Sequence, residues 1–231
     1  MARVLVNDAC LCNIADAIRE KTGSTDKYKP SEMAAAIANI EAGGGDTSAL
    51  EDAFIKRTFT EYSNDTITSI GNSAFRACAS LTSVSFTKST NTGAYAFYDC
   101  TKLTDVNFPI AKTVTSQCFR GCSSLVDVTF PEATTIEAYA FYQDKALKTV
   151  RLPKAKSFGI SALNGCTGLN ALIIEQEDTI CTLASNVLAN SSIASGTGYV
   201  YVPDDLVEEY KAATNWSTFA SQIKPLSELE S

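Results

Sequence analysis

The sequence predicts an α/β solenoid, in which short parallel strands and short helical turns stack coil upon coil and helices cap the ends. Two observations carry this reading. The first is a fixed step of 22 residues between large apolar side chains: Phe75, Phe97, Phe119, Phe141 and Leu163 form one column, and Leu81, Leu103, Leu125, Leu147 and Leu169 a second. Val84, Val106, Val128, Val150 and Leu172 form a third, and Phe86, Phe108, Phe130, Leu152 and Ile174 a fourth. Constant spacing places every unit in the same environment as its neighbours. The second observation is local: Leu81-x-x-Val84-x-Phe86 ends in the period-two alternation of a half-buried strand.

A single unit cannot fold alone, because the faces above and below it would stay wet; stacking buries them and pairs each strand with the next. The segment Ser73-Ala74-Phe75-Arg76-Ala77-Cys78 is too short and mixed for a strand and reads as one helical turn. Pro109, Pro131, Pro153 and Pro203 follow the last apolar residue of a strand and end its ladder. The unit after Leu163 decays: Asn186-Val187-Leu188 opens a new turn, but Tyr199-Val200-Tyr201-Val202-Pro203 arrives late, after a Ser/Gly-rich insertion. A degenerate last unit closes a core rather than continuing it.

The repeated phrase A-F-x-x-C-x-x-L-x-x-V-x-F-P resembles the BspA-type leucine-rich repeat, and the match runs over 67–203. It is closest in Tyr95-Ala96-Phe97-Tyr98-Asp99-Cys100-Thr101-Lys102-Leu103 and in Cys118-Phe119-Arg120-Gly121-Cys122-Ser123-Ser124-Leu125. The resemblance implies a right-handed leucine-rich repeat superhelix that attaches to a cell surface, an extracellular protein or a glycan.

The flanks read differently. In 1–42, Asn7 or Asp8 can cap a helix with Leu11, Ile14, Ala15 and Ile18 on its apolar face, and Ser31 can cap a second with Met33, Ala36, Ile37 and Ile40, giving a helical hairpin. The phrase Ile14-Ala15-Asp16-Ala17-Ile18-Arg19-Glu20-Lys21-Thr22-Gly23, continuing to Lys29-Pro30-Ser31-Glu32-Met33-Ala34, resembles a short module of tail-associated proteins from phages of Gram-positive bacteria. That likeness implies a virion tail as partner for 1–42. A glycine-rich linker at 43–47 follows. Ser48-x-x-Glu51 is a capping box that opens an N-terminal cap over 48–66, and Asp204 and Asp205 start a capped amphipathic helix in a C-terminal cap over 204–231, where Trp216, Phe219, Ile223 and Leu226 should seal the last turn.

A net charge of −7 and a pI near 4.7, with no basic stripe, argue against nucleic acid as a partner and against attraction to anionic lipid. No apolar run is long enough to span a bilayer, so membrane insertion is not expected. The start, Met1-Ala2-Arg3-Val4-Leu5-Val6-Asn7-Asp8, lacks the apolar stretch of a secretory signal, which leaves localisation open between an extracellular surface and a virion.

Cys78, Cys100, Cys122 and Cys166 form a repeat column. In-register stacking holds equivalent Cβ atoms about 4.8 Å apart, beyond the roughly 3.8 Å that a disulfide prefers. Buried thiols bonded weakly to backbone are expected there rather than a redox or metal ladder. Asp144 replaces the thiol in the fourth unit, so the column is either interrupted there or locally open to water.

Catalysis finds little support. The chain has no histidine, which removes Ser-His-Asp and Cys-His arrangements and leaves Cys118 and Cys122 short of a zinc ligand set. No cofactor or metal is implied. Asp105 and Asp127 should stand on adjacent rungs about 5 Å apart, a separation that suits a retaining glycosidase, but an open strand face offers no dry pocket to separate their pKa values. A solvated acidic patch or a weak calcium contact is the expectation.

The favoured reading is a non-enzymatic binding face. Outward positions on the strands give two columns: Ser83, Asp105, Asp127, Thr149 and Ala171, and Ser85, Asn107, Thr129, Arg151 and Ile173, with Tyr201 on the last rung. A grid of small polar groups suits a flat protein or glycan partner better than an enclosed small molecule. The candidate binding residues are Ser83, Ser85, Asp105, Asn107, Asp127, Thr129, Thr149, Arg151 and Tyr201. A further column, Arg76, Tyr98, Arg120 and Tyr142, alternates guanidinium with phenol and should stack by cation–π contact, as edge decoration first and recognition second. The two settings are a prophage tail-associated receptor-binding component and a bacterial adhesin unrelated to phage.

Overall fold

The computed structural model describes residues 60–229. The predicted helical hairpin, the linker and most of the N-terminal cap lie outside the described residues. Among the described residues, twelve short strands, all paired parallel, make up three ladders. Strands β1 (Glu61–Asn64), β2 (Ser83–Phe86) and β3 (Asp105–Asn107) form the first. Strands β5 (Asp127–Thr129), β7 (Thr149–Arg151), β9 (Ala171–Ile173), β11 (Tyr199–Val202) and β12 (Ile223–Pro225) form a second on the same side of successive coils. The third runs along another side of the coils through two-residue strands β4 (Thr113–Val114), β6 (Thr135–Ile136), β8 (Ser157–Phe158) and β10 (Thr182–Leu183).

The register is the sequence step made physical. Glu61 pairs with Ser83 and Ser83 with Asp105; Val128 pairs with Val150 and Val150 with Leu172. Phe75, Phe97, Phe119 and Phe141 consequently stack with ring centroids 5.2, 5.3 and 5.4 Å apart and planes within 8° of parallel. Phe86, Phe108 and Phe130 form a second stack beside them, at 5.5 and 5.9 Å. These rings are almost wholly excluded from solvent, and edge-to-face and tilted contacts between the two stacks knit the core.

The helical turn expected at residues 73–78 does not form. Ser73 and Ala77 are left-handed, at φ 59° and 56°, and the same positions of later coils repeat this at Tyr95, Asp99, Gln117, Tyr139, Gln143 and Ser161. The reason is a division of hydrogen bonds. The amides of Ser73, Phe75 and Ala77 donate to Ala94, Ala96 and Tyr98 of the next coil, whereas those of Ala74, Arg76 and Cys78 donate back within their own turn. A continuous helix would direct every amide along its own chain and leave the next coil unpaired. Left-handed backbone costs roughly 1–2 kcal/mol for an ordinary residue, and glycine occupies the second such position at Gly121 and Gly165, with φ 79° and 80°.

The cysteine column is structural. The Cys100, Cys122 and Cys166 thiols donate to the carbonyls of Phe75, Phe97 and Phe141 in the preceding coil, each at 3.1 Å. All six described cysteines are buried, and burial pushes the Cys118 thiol up to about 12. Asp144 interrupts the column without opening it to water: it is wholly buried, and neither carboxylate oxygen has a hydrogen-bond partner.

The C-terminal segment is less helical than expected and adds a strand. It contains a 3-10 turn at Asp204–Leu206, one helix, α1 (Val207–Ala212), a kinked 3-10 segment at Ser217–Gln222 and β12, which extends the ladder beyond β11. Asp204 does not cap α1; hydrogen bonding from the Ser227 side chain, and from the Ser227 amide to its Oδ1 at 3.2 Å, holds its carboxyl below the ordinary range. Among the described residues no strand follows β10 in its ladder, so side chains take that place. Trp216 Nε1 donates to the Cys181 carbonyl and Asn215 Nδ2 to the Leu183 carbonyl, both at 2.6 Å, while the Cys181 amide donates to the Tyr210 hydroxyl at 2.8 Å. Pro225 on the outermost strand discourages another chain from adding to the ladder.

Candidate binding face

Strand alternation decides which residues reach the outside. Val84, Val128, Val150, Leu172 and Val200 are buried, so their neighbours at the flanking positions project outward. Asp105, Asn107, Asp127, Thr129 and Arg151 are exposed, and Ser83, Ser85, Thr149 and Tyr201 half-buried. Ile173, read as an outward position, is only 4% exposed; it is buried apart from the main core cluster, on the rung between Arg151 and Tyr201.

Contacts within the face are few. Asn107 Nδ2 donates to Ser85 Oγ at 2.9 Å, Thr104 Oγ1 donates to Asp105 Oδ2 at 3.4 Å, and Arg151 pairs with Glu175. Exposed pairs of this kind stabilise by well under about 1 kcal/mol, so the Arg151–Glu175 contact serves mainly to orient the guanidinium. Asp105 and Asp127 do not share a ladder: β3 ends the first sheet and β5 begins the next, so the strand face is discontinuous between them. They are not held in the paired rungs that the glycosidase spacing presumed. Among the described residues, no group of three or more Cys, Asp or Glu gathers as a cage for a metal ion.

Two features escaped sequence reading. Tyr199 is 37% exposed, and the Lys224 ammonium lies 5.8 Å from its ring centroid, itself ion-paired to Glu228 at 2.8 Å. Tyr199 and Tyr201 thus put aromatic surface at the end of an otherwise hydroxyl- and acid-rich face; the alternating Tyr-Val-Tyr-Val run was the available signal. The second is a shallow groove of about 380 Å³ lined by Thr167, Asn190, Ser191, Ser192, Ala194 and Ser195. Its serine hydroxyls are committed to backbone carbonyls: Ser191 to Leu188, Ser192 to Thr167 and Ser195 to Ser192. They serve the insertion rather than a ligand.

The Arg–Tyr column stacks as expected. The Arg76 guanidinium lies 4.8 Å from the Tyr98 ring centroid, and that of Arg120 lies 5.4 Å from Tyr98 and 4.8 Å from Tyr142.

Comparison with known families resolves what this architecture is. Residues 48–170 and 90–200 match the BspA type leucine rich repeat region. The chain belongs to the BspA-type leucine-rich repeat family. The 22-residue coil of stacked phenylalanine, buried thiol and short parallel strand is therefore the BspA-type unit. A search among curated proteins found no match. Among solved structures, the pneumococcal vaccine antigen PcpA aligns over 79% of this chain and 42% of its own, with 13% identity and a TM-score of 0.57, a likeness of fold. A leucine rich cell surface protein of Faecalibacterium prausnitzii A2-165 aligns over 52% and 40%, with 25% identity and a TM-score of 0.44. A leucine-rich repeat protein of Bacteroides ovatus aligns over 64% and 49%, with 20% identity and a TM-score of 0.39. The aligned regions span less than half the length of each of these three proteins. No helix among the described residues is long and apolar enough to cross a membrane.

Proposed function

We propose that this BspA-type repeat protein is a non-enzymatic binding protein whose strand face engages a protein or glycan on a cell surface. The observation that carries this reading is the face itself. It is open, with Asp105 and Asn107 exposed on β3, Asp127 and Thr129 exposed on β5 across the break between the two ladders, and Tyr199 and Tyr201 near its C-terminal end on β11. Such a surface meets an extended partner rather than enclosing a small substrate. Both aspartates are exposed, so neither offers the desolvated carboxyl that general-acid chemistry needs. Five rungs from β3 to β11 span about 19 Å at the usual strand spacing, a modest contact that gains from several copies acting together.

The test is an array of purified matrix proteins and glycans probed with the full chain and with a double variant, Tyr199→Ala and Tyr201→Ala. Aromatic anchors carry a disproportionate share of interface energy, so the variant should lose tenfold or more in affinity while its melting temperature changes little. Undiminished capture by the variant would remove the strand face from the reading. Residues 1–42 add a finer proposal, resting on their likeness to tail-associated proteins: they dock the chain onto a virion, with the repeats facing outward. Deleting 1–42 should then abolish incorporation into tails while sparing capture on the array. Co-purification of the truncated chain with tails would sink the docking role.

A further inference from the structure

We propose a second docking surface, on the turn side of the coils around Tyr95, Tyr98, Arg120, Tyr139 and Tyr142, which takes a protein partner through a carboxylate. This surface is separate from the strand face and stands whether or not that face binds anything.

Its geometry begins with Arg120. The guanidinium is sandwiched between the Tyr98 and Tyr142 rings, so both of its faces are occupied. Its Nη1 donates to Gln117 Oε1 at 2.9 Å, and Gln117 Nε2 in turn donates to the Tyr95 hydroxyl at 2.7 Å. A guanidinium stacked on aromatic faces still presents its remaining N–H donors in the plane, in the fork that matches a carboxylate. No carboxylate of the described residues pairs with Arg120, in a chain whose net charge is −7. The nearby acids are otherwise engaged or placed: Glu137 accepts the Ser116 amide at 2.8 Å, and Asp99 lies over Gly121.

The surroundings fit an interface core. Tyr95 is 36% exposed, and Tyr95 with Tyr98, and Tyr139 with Tyr142, form ring pairs at 6.2 and 5.5 Å in the coils on either side of Arg120. Tyrosine and arginine are the residues that dominate protein interfaces, whereas the Ser, Asp and Thr of the strand face are not. The relay from Arg120 through Gln117 to Tyr95 fixes these side chains before a partner arrives, which lowers the entropy lost on binding. The geometry also separates protein from sugar. Tyr98 is covered on both faces by Arg76 and Arg120, so it offers edges and a hydroxyl to a partner, not a flat face for stacking a saccharide ring.

The test does not require the natural partner. A random 16-residue peptide library displayed on phage is selected on the full-length chain, and the binders are measured on variants by interferometry. Selected peptides should be enriched in Asp and Glu. Their affinity should fall tenfold or more with Arg120→Ala and by a similar factor with Arg120→Lys, which keeps the charge and loses the fork. Raising salt from 50 to 500 mM should weaken them further. Thermal melting of each variant monitors the fold, and Tyr139→Leu provides an independent readout should Arg120→Ala fail to fold. Peptides without acidic residues, peptides indifferent to both Arg120 variants, or no binders at all would overturn the proposal. Binders lost with Tyr199→Ala and Tyr201→Ala, but not with Arg120→Lys, would favour the strand face and overturn this surface. Capture of acidic glycans through Arg120 without any acidic peptide would overturn the assignment to protein.

Discussion

Replacing Asp144 with cysteine should raise the melting temperature at pH 7, by roughly 4–12 °C, and by much less at pH 4. Asp144 occupies the column in which Cys100, Cys122 and Cys166 each donate to a phenylalanine carbonyl 25 residues earlier. The same step assigns it the Phe119 carbonyl, an acceptor that an ionised carboxylate cannot serve. Burial dominates its environment and holds the carboxyl well above the ordinary range; the Gly121 and Cys122 amides favour the ionised form only weakly, because both are already spent on the Tyr142 and Phe119 carbonyls. Cys122 and Cys166, on the adjacent coils, and Asp99 are the other titratable groups that feel it. All three would carry negative charge if ionised, so none stabilises a carboxylate.

The sign follows from proton counting. In the unfolded chain Asp144 titrates at about 3.9, and in the folded chain its pKa is higher. Between those two values the folded state holds a proton that the unfolded state has released, so stability falls as pH rises through about 4 toward the folded value. Asp144→Cys removes that slope, because the buried thiols beside it stay protonated far above neutrality. The gain at pH 7 is about 2–3 kcal/mol, the scale of a buried polar group left unpaired, and a chain of this size gains about 2–4 °C per kcal/mol. Asp144→Asn should flatten the pH dependence as well. Melting curves at pH 4 and pH 7 decide the matter: an equal difference at both would mean that Asp144 does not titrate in this window.

The second large effect is expected at Phe119. Its ring lies between Phe97 and Phe141 at 5.3 and 5.4 Å and touches Phe130 at 5.8 Å, with no solvent exposure. Phe119→Ala should cost about 3–5 kcal/mol. In a solenoid each coil contacts only its neighbours, so a hole in the middle also uncouples the two flanks. The single tryptophan, Trp216, sits in the C-terminal cap and reports that end alone. In urea, its fluorescence transition should therefore separate from the far-UV dichroism transition in Phe119→Ala while coinciding in the natural chain. Coincident transitions with a loss under about 1 kcal/mol would contradict the nearest-neighbour account.

What could be read in the letters was whatever repeats. The 22-residue step fixed the coil, the register and the core, because identical spacing forces identical neighbours; Phe97 above Phe119 follows from counting. The outward strand columns followed from alternation, and the Arg–Tyr stack from adjacency across coils. What could not be read depended on partners brought in from other coils. Two-residue strands such as Thr113–Val114 are too short to show a period. The left-handed turns at Ser73 and Ala77 carry no glycine to announce them, since it is hydrogen bonding to the next coil that imposes them.

The chain by itself therefore determined that it must stack and what lies inside, since apolar periodicity acts through burial, which is insensitive to detail. Only the assembled coils decided the rest. They broke the strand face between Asp105 and Asp127, buried Ile173 on the outer side, sealed Asp144 away from water and left Arg120 without a carboxylate among the described residues. Each of these is a matter of which polar group finds a partner. Hydrogen bonds and charges are directional and short in range, so their outcome is settled by ångström-scale placement that periodicity alone does not encode.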